Sequence, residues 1–170
     1  MPAEAPNCAR CPYKVSDRFC RTKKGKAPDF CPTKNMSECL EQSLKEYHRI
    51  DGVGEFAKQA SIQEAEGYMN REHGYGYVRA QKTRIEEIMG FAEKMGYKRL
   101  GIAFCIGLRK EAHVVEKVFS AAGFDVISVI CKVGRASKEQ IGVAKEQQIN
   151  PKAEEAMCNP VLQAMALNKA

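Results

Sequence analysis

The sequence predicts an α/β fold. A cysteine-rich irregular N-terminal segment and helices are followed by an open, mainly parallel Rossmann-like sheet with helices, incomplete at its C-terminal end. Three observations lead there. Residues 1–35 carry Pro2, Pro6, Pro12, Pro28 and Pro32 and little apolar periodicity. Residues 36–98 repeat apolar side chains at three- and four-residue spacing, the helical period. Residues 99–134, "RLGIAFCIGLRKEAHVVEKVFSAAGFDVISVICKVG", hold two short apolar runs that each end in a cysteine, with an amphipathic stretch between them. The expected organisation is a cysteine-rich segment over 1–35, a helical region over 36–98 and an α/β region over 99–170, all packed as one unit.

The first segment cannot bury enough carbon to offset its chain entropy. It is either disordered or tied down by something other than a core. From Ser37 the pattern becomes helical: "SECLEQSLKEYH" offers Ser37 as an N-cap and puts Leu40, Leu44 and Tyr47 on one face. "GVGEF" breaks that helix, and "EFAKQASIQEAEGYMNRE" predicts a second. "HGYGY" interrupts again, and "VRAQKTRIEEIMGFAEKMGY" reads as the clearest helix, with Ile85, Ile88, Met89, Ala92 and Met95 in its apolar stripe.

Then the period shortens. "RLGIAFC" is apolar and followed by Gly107, as in a buried parallel strand. "LRKEAHVVEKVFSAAG" is an amphipathic helix closed by Gly123. "FDVISVIC" is the second strand, which implies a right-handed crossover. Residues 134–157 are polar and weakly patterned, and predict a long loop or insertion with one short helical piece. "CNPVLQAMALNKA" starts a last helix, capped by Asn159 with Pro160 in its first turn. Two strands make a poor sheet, so a further strand or a partner copy is expected to complete it.

Apolar residues make up 44% of the chain, enough for a core. No stretch approaches the ~18 uninterrupted apolar residues that cross a bilayer. The N-terminus lacks the apolar region of a secretory signal. A cytoplasmic protein with no membrane partner is therefore the expectation. Eight cysteines without an export signal point to metal ligands or catalytic thiols before disulfides. The net charge is +6, and much of the excess sits in "ARCPYKVSDRFCRTKKGK". Such a stretch can attract nucleic acid or an acidic partner, but the favoured reading is a solvated, flexible loop, and nucleic acid is not the expected partner.

The cysteines form two groups. Cys8 and Cys11 are a C-x-x-C pair, which lets one tight turn present two sulfurs to one ion. Cys20 and Cys31 complete four ligands, suited to zinc or to a 4Fe-4S iron–sulfur cluster, with Cys39 as a spare. The second C-x-x-C of a zinc ribbon is missing. Cys105 and Cys131 end the two strands, and ligands of open α/β sheets sit beyond such ends. Cys158 precedes a helix start, where the positive end of the helix favours a thiolate. Gly107 and Gly134 would let a bulky ligand approach the backbone. Cysteine is also a small buried hydrophobe, so each of the three taken alone has a plainer explanation. His113 and His73 are weaker ligand candidates. The Arg79, Lys82 and Arg84 stretch reads as a turn leading into a solvated helix face. No dinucleotide fingerprint, P-loop or H-E-x-x-H occurs.

"TRIEEIMGFAEKMGYKRLGIAFCIGL", "GFDVISVICKVG" and "CNPVLQAMALN" together resemble a cysteine-rich prokaryotic family of unknown function whose members are described as predicted metal-binding proteins. The N-terminal "CARC…C…C" segment is similar to its pattern too. The resemblance implies metal binding without supplying a reaction. It singles out Cys105, Cys131 and Cys158 beyond the strands and Cys8, Cys11, Cys20 and Cys31 at the front. It also implies a continuation past "LN" into another strand with a further cysteine followed by Gly-His-Asp, which this sequence does not contain.

Two classes of function follow. One is a metalloprotein whose front centre is an iron–sulfur cluster or zinc and whose strand-end thiols do redox or sulfur chemistry on a small-molecule substrate. The other is a non-catalytic module, either zinc-stapled for nucleic acid or protein, or storing or sensing metal.

Overall fold

The computed structural model describes residues 5–170. The chain divides into two compact units, one ending at Lys58 and the other running Gln59–Ala170, a division that falls inside a helix.

The first unit has no apolar core: none of its described residues is buried. Its arm is built from short turns at Cys8–Arg10 and Val15–Asp17, followed by helix α1 (Pro32–Asn35). Backbone bonds shape it instead of packing. Arg18 and Lys26 form a parallel bridge, Phe19 N–H donates to the Lys26 carbonyl at 2.9 Å, and Lys26 N–H donates to the Asp17 carbonyl at 2.7 Å. Gly25 is required there, because a Cβ would collide with the Arg18 backbone. Helix α2 (Ser37–Arg49) carries Leu40, Leu44 and Tyr47 on one face, each about half-exposed. Ser37 is not its cap. The helix begins at Ser37 itself, Met36 holds the cap position, and no side chain caps it.

Helix α3 (Val53–Glu66) is shorter at its end than the sequence suggests. The chain turns at buried Gly67 into strand β1 (Tyr68–Met69), which pairs antiparallel with β2 (Arg79–Ala80). The helix expected from Val78 therefore starts later, as α4 (Arg84–Lys94). Thr83 sets that start through a capping box: Glu86 N–H donates to Thr83 Oγ1 at 3.3 Å and Thr83 N–H donates to Glu86 Oε2 at 2.6 Å.

The α/β portion follows the expected order. Strand β3 (Arg99–Phe104) leads through α5 (Arg109–Ala121) to β4 (Asp125–Ile130), and the strands pair in parallel from Arg99↔Asp125 to Phe104↔Ile130. The core lies on one face of this sheet, where Phe119, Phe124 and Ala92 are buried against Leu100, Ile102 and Val126. Thus α4 and α5 cover one face. Helix α6 (Pro160–Lys169) covers the other, with Leu167 lying over Gly101, where a Cβ would come within 3.0 Å of it. No residue of either strand is fully buried, contrary to the sequence expectation. A sheet of two strands gives each strand an unpaired edge, so both keep solvent contact.

Candidate thiolate sites

The front cysteines share one hollow. Cys8, Cys11, Cys20 and Cys31 all line a cavity of about 60 Å³, together with Arg18 and Lys26. Each is placed by its local backbone. The Cys8–Arg10 turn brings Cys11 N–H to the Cys8 carbonyl at 3.2 Å, which closes the C-x-x-C. Cys20 lies in the loop closed by the Arg18–Lys26 bridge. Cys31 stands just before α1, and its carbonyl accepts from Asn35 N–H at 3.0 Å. The Asn35 side-chain amide donates back to the Asp29 carbonyl, and Arg18 Nε donates to the Tyr13 carbonyl at 2.9 Å. Cys39 lies in α2, exposed and outside the lining of this cavity. Among the described residues no three His, Cys, Asp or Glu side chains stand as a ready-made cage for one ion. The four thiols share the lining of one hollow without forming such a cage.

The strand-end cysteines meet through the backbone. Cys131 is 6% exposed, and its sulfur accepts the Ile106 N–H at 3.3 Å. That amide directly follows Cys105, so the Cys131 sulfur is tied to the backbone just past the end of β3. Cys131 N–H also donates to the Phe104 carbonyl at 2.8 Å, which extends the parallel ladder by one bond. Cys158 arrives at the same place because Asn159 N–H donates to the Cys131 carbonyl at 2.8 Å. Asn159 caps α6 through Leu162 N–H at 3.0 Å, as the sequence predicts. Cys105 and Cys158 are exposed.

The insertion between the strand and α6 makes this arrival possible. It is not a loose loop. Its neck closes where Met157 N–H donates to the Ala136 carbonyl at 2.7 Å and Lys138 N–H to the Glu155 carbonyl at 2.9 Å. Ser137 and Ala156 form an antiparallel bridge, and the Lys138 ammonium pairs with Glu155. Lys132 Nζ donates to the Ala156 carbonyl at 2.6 Å. The Lys138 ammonium, with the Asn150 amide, holds the Glu155 carboxyl below the ordinary carboxylate range.

Three features went unread in the sequence. Gln163, 8% exposed, donates through Nε2 to the carbonyls of Phe104 and Val129, and so clamps α6 across both strand ends. A glutamine in an apolar helix stripe is the signal that pointed to it. The second is the Lys138–Glu155 neck, whose partners lie too far apart in sequence for any local pattern. The third concerns Gly134, which serves packing: its φ is +81° and a Cβ would strike Leu162 of α6. Gly107 is different. Its φ is ordinary and a Cβ would meet nothing within 4 Å, so neither conformation nor packing demands glycine there. His113 sits 3.6 Å from Glu116 on the surface of α5, and His73 stacks edge-on with Tyr77 in the 70–78 loop.

No helix among the described residues is long and apolar enough to cross a membrane. Residues 31–170 match the family described as "Protein of unknown function (DUF1847)". That span includes Cys31 and the three strand-end cysteines and leaves Cys8, Cys11 and Cys20 outside it. "Uncharacterized protein MJ0455" of Methanocaldococcus jannaschii is 44% identical over 117 residues, 69% of this chain and 57% of that protein. The chain thus spans less than two thirds of that relative's length. No solved structure matches significantly. The chain belongs to the DUF1847 family.

Proposed function

We propose that this member of the DUF1847 family is a metal-binding protein with two thiolate sites. Cys8, Cys11, Cys20 and Cys31 hold a front centre, either a 4Fe-4S cluster or zinc. Cys105, Cys131 and Cys158 hold a second centre beyond the strand ends, with Gly107 leaving room beside it. One observation carries the reading: the unit ending at Lys58 has no buried described residue, yet it wraps all four of its predicted ligands around one hollow. A segment without a core needs another source of order, and metal–thiolate bonds supply it as folding free energy.

At the strand ends the support is the tie between Ile106 N–H and the Cys131 sulfur, and the bond from Asn159 N–H, directly after Cys158, to the Cys131 carbonyl. A backbone N–H that already meets the sulfur would hold it in place as a ligand. An iron–sulfur cluster bound there would supply one-electron transfer or sulfur chemistry on a small molecule. In that reading the three thiols are ligands rather than nucleophiles. The site is in a cytoplasmic protein, since thiols survive reduced there.

Anaerobic purification, metal analysis and a visible spectrum test this reading. Brown protein containing iron and acid-labile sulfide is the expected result for clusters. Cys105→Ser should empty the strand-end site and leave the front metal in place. Colourless, metal-free protein from anaerobic cells would overturn the proposal.

A second reading is a zinc-stapled docking module for an acidic protein or nucleic acid. Charge favours it: residues 8–34 carry eight Lys and Arg against Asp17 and Asp29, which equals the net +6 of the whole chain. Binding through that segment would weaken steeply as salt rises. A colourless protein with one zinc and salt-sensitive partner binding would select it.

A further inference from the structure

We propose that the open cavity beside the β1–β2 hairpin binds a small zwitterion carrying an aromatic ring, of the α-amino-acid class. The cavity measures about 630 Å³, inside the ~300–1,000 Å³ range of small-molecule sites. It lies wholly within residues 59–170 and shares no lining residue with either cysteine group.

Its walls are held in place. The 70–78 loop is closed by the β1–β2 pairing, Tyr68↔Ala80 and Met69↔Arg79. Gln81 anchors the return: its N–H donates to the Gly67 carbonyl at 2.9 Å and its Nε2 to the Glu66 carbonyl at 2.8 Å. Asn70 and Gly74 take left-handed backbone, φ 59° and 87°, to make the turns. Tyr77 N–H donates to the Gly74 carbonyl at 3.0 Å.

The lining specifies the ligand. Glu64, from the last turns of α3, and Arg71, from the loop, border the same cavity. Neither forms a salt bridge among the described residues, whereas their neighbours do: Glu66 pairs with Lys94 at 2.7 Å and Glu87 with Arg84 at 2.7 Å. Arg71 also acts on Glu66 through its charge, without an ion pair at contact distance. A carboxylate and a guanidinium that line one cavity without a salt bridge suit a ligand that brings both an ammonium and a carboxylate. Arginine matches the planar geometry of a carboxylate with two parallel donors. Tyr68 and Tyr75 add aromatic surface, and Tyr75 is 85% exposed at the rim. Rings there would pack against a ring on the ligand, edge-on or offset.

Calorimetry and ligand-observed saturation-transfer NMR on the full chain test this. The probes are L-phenylalanine and L-tryptophan, with phenethylamine and 3-phenylpropionate as analogues lacking one charge. The amino acids should bind, and loss of either charge should weaken binding about tenfold or more. Arg71→Ala should abolish the preference for L-phenylalanine over phenethylamine. Glu64→Gln should abolish the preference over 3-phenylpropionate. Both altered side chains are exposed, so the variants should keep the parent circular dichroism and metal content. Absence of binding by either amino acid up to about 10 mM, or binding indifferent to both substitutions, would overturn the proposal. The metal reading is untouched by either result.

Discussion

Cys131 is the one buried cysteine, and its sulfur is met by a backbone N–H from the neighbouring strand end. Removing that sulfur should cost more than removing its exposed neighbours. Cys131→Ala is expected to destabilise the fold by about 1 kcal/mol, the net worth of a hydrogen bond, and Cys105→Ala by less, as thermal unfolding of the metal-free chain would record. Gly25 and Gly134 make sharper tests, because both sit where a Cβ meets other atoms. Gly134→Ala should lower the melting temperature by straining a positive φ and pushing Leu162 away. An unchanged melting temperature would show that α6 does not press on the strand end. At this scale much was legible. The C-x-x-C spacing picked out Cys8 and Cys11, which with Cys20 and Cys31 line one cavity. Asn159 was correctly read as a cap. The Ser37 cap failed because a serine can also occupy the first helical turn, and nothing local distinguishes the two positions. Gly134 was credited to a ligand because Leu162, its true neighbour, lies 28 residues away in sequence.

Helix α4 owes its start to Thr83 and Glu86 rather than to its apolar stripe. The stripe extends back to Val78, so periodicity alone overran the boundary; the T-x-x-E signature at Thr83 was the missed signal. Thr83→Ala should cost about 1 kcal/mol of stability in denaturant unfolding. The hairpin before it was invisible for a related reason: two-residue strands leave too short an alternation to detect. The insertion neck makes a complementary test. Glu155→Gln should loosen the return of Cys158 and lower occupancy of the strand-end site, with the front site unchanged, as metal analysis would show. Equal loss from both sites would assign Glu155 to general stability instead. Its carboxyl, with those of Glu66 beside Lys94 and Glu86 in the capping box, is held below the ordinary carboxylate range. The folded chain therefore releases these protons more readily than the unfolded chain. Their stabilisation is complete at neutral pH and is lost as pH falls through the lowered values. A melting temperature that drops as the pH falls below about 4, and drops less in Glu155→Gln, is the expected result.

The whole molecule pairs a unit with no buried described residue and a unit whose core sits on one face of a two-stranded parallel sheet. The order strand–helix–strand was readable because each element is short, local and strongly patterned. The division at Lys58 was not, since α3 runs through it without a change in composition. Stability should divide in the same way. Chelation should expose the segment before Lys58 to proteolysis and leave Gln59–Ala170 protected, because among the described residues only the latter holds buried apolar side chains. The most direct test of the front centre is X-ray absorption at the metal edge of anaerobically purified protein carrying Cys105→Ser, Cys131→Ser and Cys158→Ser together. The metal should be retained, surrounded by sulfur at about 2.3 Å, and lost on adding Cys11→Ser. Metal bound only through nitrogen and oxygen, or no metal at all, would contradict a thiolate front centre.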